Sequence, residues 1–99
     1  MSDTGFDTTT KTSLRRPAMW TVILINDDFT PMIFVVQVLV SIFNQSIADA
    51  QRIMLAVHNQ GKANVGSYTY EVASHKADET MLLAVISQHP LLVYPEPLA

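Results

Sequence analysis

Apolar and polar positions change period several times along this chain, and each change marks an element. Met19-Trp20-Thr21-Val22-Ile23-Leu24-Ile25, with Pro17 marking its entrance, is apolar enough to read as a strand. Three short polar residues, Asn26, Asp27 and Asp28, then interrupt it before apolar residues return at helical spacing. That first helix carries Phe34, Val35, Val36, Val38, Leu39, Ile42 and Phe43, a stripe wide enough for a helix lying on a sheet. Its expected start is Thr30 at the N-cap, with Pro31 in the first turn. Asn44-Gln45 ends it. A second helix is predicted from Ser46, with Asp49 completing a weak capping box, through Ile53, Met54, Leu55, Val57 and His58 to a left-handed stop at Gly61.

Weak alternation from Lys62 to about Tyr68 predicts a second strand, softened by Gly66. A third helix is predicted from Tyr70 to Gln88, with Val72, Ala73, Met81, Leu82, Val85 and Ile86 inward and Glu71, Lys76, Asp78 and Glu79 outward. Pro90 closes it, and Leu91-Leu92-Val93-Tyr94 is a short last strand. The order β-α-α-β-α-β implies an α+β fold, a small antiparallel sheet packed against three helices. Residues 1–16, rich in Thr, Ser, Asp and Lys, are expected to form a mobile N-terminal extension before a core domain at 17–99.

Composition narrows the chemistry. The chain has no cysteine, so disulfides, thiolate nucleophiles and cysteine-ligated metals are excluded, a pattern that fits a reducing cytosol. The net charge of −3 with scattered Lys and Arg argues against nucleic acid as the main partner. No apolar run approaches the roughly 20 residues that span a bilayer. No signal or transit segment is expected at the start, and a bacterial cytoplasmic location is expected.

The polar interruption holds the candidate chemistry. Asn26 offers a carbonyl oxygen, Asp27 and Asp28 offer carboxylates, and His58 offers one ring nitrogen when neutral. Such acceptors suit a cation with several N–H donors, such as a free α-amino group, which is largely protonated near its reference pKa of about 7.7–8.0. The same residues equally suit a turn leading into a helix, where negative charge is favourable, and His58 suits a helix C-terminus. Met32 and Val35 share one helix face, as do Met54, Val57 and His58. Methionine there fits an adaptable pocket, and fits an ordinary core as well.

These residues also resemble a known family. Trp20-x-Val22-Ile23-Leu24-Ile25-Asn26-Asp27-Asp28-Phe29-Thr30-Pro31-Met32 is similar to the signature of the ClpS adaptors. So is Met54-Leu55-Ala56-Val57-His58-Asn59-Gln60-Gly61-Lys62-Ala63, followed in order by Glu71-Val72-Ala73-x-x-Lys76 and His89-Pro90-Leu91-Leu92. The resemblance covers about residues 17 to 97. It implies an adaptor without catalytic activity, cofactor or metal, which binds bulky hydrophobic N-terminal residues (Leu, Phe, Tyr, Trp) of N-degron proteins. It would deliver them to a Clp ATPase–protease.

Within that resemblance, Asn26 and His58 match the residues that hold the α-amino group, supported by Asp27. Asp28 and Thr30 match the pocket mouth, and Pro31, Met32, Val35, Met54, Val57 and Leu91 match its walls. Glu71 and Lys76 match the surface that docks on the ATPase N-terminal domain, and the tail matches an extension used in handing over substrate. One departure stands out: Ile33 occupies the position of a family Glu, three residues after Thr30, where the Glu would complete a capping box. Two other classes of function are compatible with the residues. One is a docking domain acting only through Glu71 and Lys76; the other is a small hydrolase or metal site built from Asp27 or Asp28 with His58.

Overall fold

A computed structural model describes residues 18–98. The expected N-terminal extension lies outside the described residues. Six elements follow one another: β1 (Trp20–Ile25), α1 (Met32–Ser41), α2 (Ile47–Gln60), β2 (Lys62–Tyr68), α3 (Tyr70–Ile86) and β3 (Leu92–Pro97). The expected α+β arrangement is the one observed. β1 is central in a three-stranded sheet of order β2-β1-β3, and both pairings are antiparallel.

Val22 and Leu24 of β1, Val65 of β2 and Val93 of β3 point into a single core with Phe34, Val38, Leu39, Ile53 and Val57 of the helices. Opposite β1, the pairs Trp20–Tyr68 and Val22–Val65 leave one extra residue on β2. Gly66, at φ +73° and overlain by the Tyr68 ring, takes up that bulge. β3 is longer than the Leu91–Tyr94 strand expected, because Pro95 and Pro97 remain in register opposite Val22 and Trp20. The Leu98 N–H donates to the Met19 carbonyl at 2.9 Å. In that phase of the ladder the proline positions face the open edge, where a missing donor costs no pairing.

Two helix ends follow expectation. Ser46 caps α2 by accepting from the Asp49 N–H, and Gly61 closes it at φ +92°. α3 departs from expectation. Its buried residues are Ala73, Ala77, Thr80 and Ala84, at spacings of four, three and four. Val72, Leu82, Val85 and Ile86, expected inward, are exposed, whereas Met81 is half-buried. A row of small side chains lets the helix axis lie close to the sheet, and a face of Leu, Val and Ile would hold it off. The helix also ends earlier than expected, at Ile86, where Gln88 adopts φ +61° and the His89 N–H returns to the Ala84 carbonyl. Pro90 lies beyond a turn that has already closed.

Candidate functional site

The stretch between β1 and α1 is built around one carboxylate. Oδ1 of Asp27 accepts from the N–H groups of Phe29 (2.8 Å) and Thr30 (2.7 Å), and Oδ2 accepts from the Thr30 hydroxyl at 2.6 Å. This Asx-type turn carries the chain out of the sheet, so the turn-forming role weighed for Asp27 is realised. It also corrects the expected helix start. Thr30 does not cap α1, because its hydroxyl is committed to Asp27. Pro31 occupies the N-cap with ψ +142° and no side-chain cap, its carbonyl accepting from the Phe34 N–H at 3.0 Å. The extended ψ of Pro31 itself keeps it out of the helix, which sets the start back to Met32. A Thr30-x-x-33 capping box therefore has no place here, whatever residue stands at 33.

Burial raises the Asp27 pKa, but the hydrogen bonds from Thr30 and Phe29, with His89 nearby, outweigh it and leave the carboxyl below its ordinary 3.8. A lowered folded value means that the group's contribution to stability is complete above about pH 4 and is lost as pH falls through that value. Replacing Asp27 by Ala is expected to cost about 1–3 kcal/mol at neutral pH. In urea unfolding, the gap between variant and parent should narrow once the pH drops below the usual carboxylate range.

A second strap fixes the turn against α2. The Asn26 N–H donates to the Gly61 carbonyl at 2.9 Å, and Gly61 closes the helix whose last turn carries His58. Asn26 and His58 thereby face the same space, a recess of about 180 Å³ lined by Asn26, Asp27, Asp28, Thr30, Met32, Val35, Met54, Val57 and His58. Val35 and Val57, the latter 2% exposed, form its floor, whereas Asp28, Met32 and His58 stand at the open mouth. A pocket near 150 Å³ with apolar walls suffices for a benzene ring. This one has room for a single large side chain, and groups able to accept hydrogen bonds are among its lining.

Every lining residue belongs to the set singled out from the sequence. Two members of that set lie elsewhere: Leu91 is buried in the core, and Pro31 is exposed outside the recess. The sequence reading passed over the Gly61 carbonyl, a backbone group with no residue-type signal. His89 stands within a sequence motif but was assigned no role at the site; its ring stacks edge-on against Phe34 at 4.6 Å and adds a minor favourable influence on the Asp27 carboxylate.

Glu71 and Lys76 are not side by side. Glu71 is exposed in the first turn of α3, whereas Lys76, expected on the outer face, is half-buried and turned toward the end of α1. Its Nζ donates to the Ile42 carbonyl at 2.7 Å and sits 5.8 Å from the Phe43 ring centroid and 5.5 Å from that of Tyr68. A cation there satisfies an orphan helix carbonyl and the α1 dipole, a structural role that its sequence position does not reveal.

Among the described residues, no helix is long and apolar enough to cross a membrane. Residues 15–94 match the family model "ATP-dependent Clp protease adaptor protein ClpS". The chain is 50% identical over 88 residues to the ClpS adapter protein of Maricaulis maris, covering 89% of this chain and 81% of that one. It is 52% identical over 84 residues to the ClpS adapter protein of Phenylobacterium zucineum, covering 85% and 77%. Among solved structures, Agrobacterium tumefaciens ClpS2 bound to L-phenylalaninamide superposes with a TM-score of 0.80 at 36% identity, covering 83% of this chain and 99% of that one. The turn, the recess and these matches agree: the chain belongs to the ClpS family of ATP-dependent Clp protease adaptor proteins.

Proposed function

We propose that the recess between the Asn26–Thr30 turn, α1 and α2 receives the first residue of a protein carrying a bulky hydrophobic N-terminus. The adaptor then presents that protein to a Clp ATPase–protease, itself performing no chemistry. The observation that carries this reading is the convergence of Asn26, Asp28 and His58 around the mouth of a recess floored by Val35 and Val57. Phenylalaninamide, bound by the Agrobacterium relative, combines a free α-amino group with a phenyl ring, the two features that this site is suited to hold.

The roles follow from the chemistry of each group. The Asn26 carbonyl oxygen and the neutral ring nitrogen of His58 accept two N–H groups of the guest's ammonium. Asp27 and Asp28 supply negative potential, Asp27 mainly through the turn that it holds together. Met32 and Met54 flank the guest side chain and adapt to its shape, since an unbranched thioether repacks easily. Burying a Leu or Phe side chain contributes about 1.5–3 kcal/mol, and each hydrogen bond to a charged donor a similar amount. After the cost of association, micromolar binding needs both.

Delivery requires a second surface. The exposed Glu71, beside Trp20 and Tyr70 in a shallow depression, is a polar group suited to that surface, and Lys76 contributes indirectly by bracing the end of α1.

The test is calorimetry with peptides that differ only in their first residue. Phe, Leu and Tyr are expected to bind, with Trp accommodated through movement of Met32 and Met54. Val and Ile, whose branching at Cβ would crowd a pocket suited to side chains that branch later, should bind at least about tenfold more weakly. Equal affinity for all first residues, Ala included, would remove the reading.

A further inference from the structure

Beyond the recess itself, two exposed apolar residues stand next in sequence to residues that line it. Ile33 is 63% exposed and Phe29 is 80% exposed, and neither lines the recess. Both are nonetheless tied to it by chain connectivity. Ile33 follows Met32 on α1, and Phe29 stands between Asp28 and Thr30; Met32, Asp28 and Thr30 all line the opening. Single exposed apolar residues are ordinary; here two of them, each a chain neighbour of a lining residue, accompany Met32, which lines the recess and is 44% exposed.

Their backbone is held in place. The Phe29 N–H is bound by Asp27, and Ile33 lies within the first turn of a helix. Little ordering entropy is therefore lost when something rests on them.

A guest whose ammonium and first side chain are engaged by the recess must lead the rest of its chain out through the mouth. An extended chain advances about 3.3 Å per residue and turns alternate side chains to opposite sides, so its second residue stands just outside the recess, within reach of residues next to the lining. α1 has no acidic residue in its first turn, so Ile33 has no charged neighbour within that turn.

We propose that Ile33 and Phe29 form a subsite that selects the second residue of the guest, favouring a large apolar side chain there. The proposal rests on the N-terminal-residue reading above and extends it by one position. It assigns Ile33 to selection at the second residue and leaves first-residue choice to the recess, which Ile33 does not line.

The experiment titrates four peptides with a common tail, beginning Phe-Ala, Phe-Leu, Phe-Glu and Phe-Lys, against the parent chain, the Ile33→Ser/Phe29→Ser double variant and Ile33→Glu. In the parent, Phe-Leu should bind about three- to tenfold more tightly than Phe-Ala. The double variant should lose that advantage while keeping the parent's Phe-Ala affinity, which also shows that it is folded. Ile33→Glu should raise the ratio of Phe-Lys to Phe-Glu affinity above the parent's by about twofold or more, as a new charge near the second residue requires.

Equal binding of Phe-Leu and Phe-Ala to the parent overturns the subsite. So does a Phe-Leu advantage that survives in the double variant, or a Phe-Lys to Phe-Glu ratio that does not respond to Ile33→Glu. Failure of all four peptides to bind the parent removes the first-residue reading and the subsite with it; a bound but indifferent series removes the subsite alone.

Discussion

A peptide beginning with Phe is expected to lose at least about a hundredfold in affinity when its α-amino group is acetylated. Acetylation removes the charge and leaves one N–H where the ammonium had three donors, while adding a group that must occupy the mouth. Each hydrogen bond from an ammonium to a protein acceptor contributes about 1.5–3 kcal/mol. Two such bonds, to Asn26 and His58, correspond to a factor of about a hundred to ten thousand or more. The buried ring cannot make up the difference, because the free energy of its burial is the same in both peptides.

The same argument gives a pH dependence. The ammonium is the bound form, so affinity should fall by about tenfold per unit as pH rises above the guest's own amine pKa, near 7.7–8.0. Calorimetry with matched free and acetylated peptides checks the first statement, and a titration series up to about pH 9.5 checks the second. An acetylated peptide that binds as well as the free one would mean that the acceptors at the mouth only shape the turn.

The second large effect concerns α3 and separates two pictures of its packing. Ala77 is almost fully buried where the helix meets the sheet, so Ala77→Leu inserts three carbons into a contact with no room. It should cost about 1–3 kcal/mol or more by pushing α3 away from β1 and β3. Ile86→Glu should be nearly neutral, within about 0.5 kcal/mol, because Ile86 is 69% exposed. If the apolar residues of α3 faced inward as their type suggests, the outcomes would reverse: a buried unpaired carboxylate at 86 would be severely destabilising, and a leucine at 77 would be tolerated. Chemical denaturation of the two variants distinguishes the pictures directly.

Local signals made much of this fold legible. The apolar run of β1, the Ser46 and Gly61 boundaries of α2 and the placement of β2 depend on local pattern and capping, which act over a few residues. The site was legible for a related reason. The acceptors at 26–28 interrupt an apolar strand, and Met54, Val57 and His58 share a helix face by spacing alone. Their alternatives, turn and core, were compatible with the same spacing, and for Asp27 the turn role is present together with a place on the recess wall.

α3 marks where local information ended. Hydrophobicity names Leu82, Val85 and Ile86 as candidates for burial, but how closely a helix may approach a sheet is a property of both surfaces, and here the small residues determine it. Lys76 and Leu91 belong to the same class, since their partners come from elements distant in sequence. The chain by itself determined its element order, its turn at Asp27 and the residue types around one opening, because these follow from neighbouring side chains. Only the tertiary structure decided which face of α3 is covered, which carbonyl holds Lys76, and that Asn26 meets His58 across a shared recess. Those outcomes depend on surfaces that come together only when the sheet and helices pack.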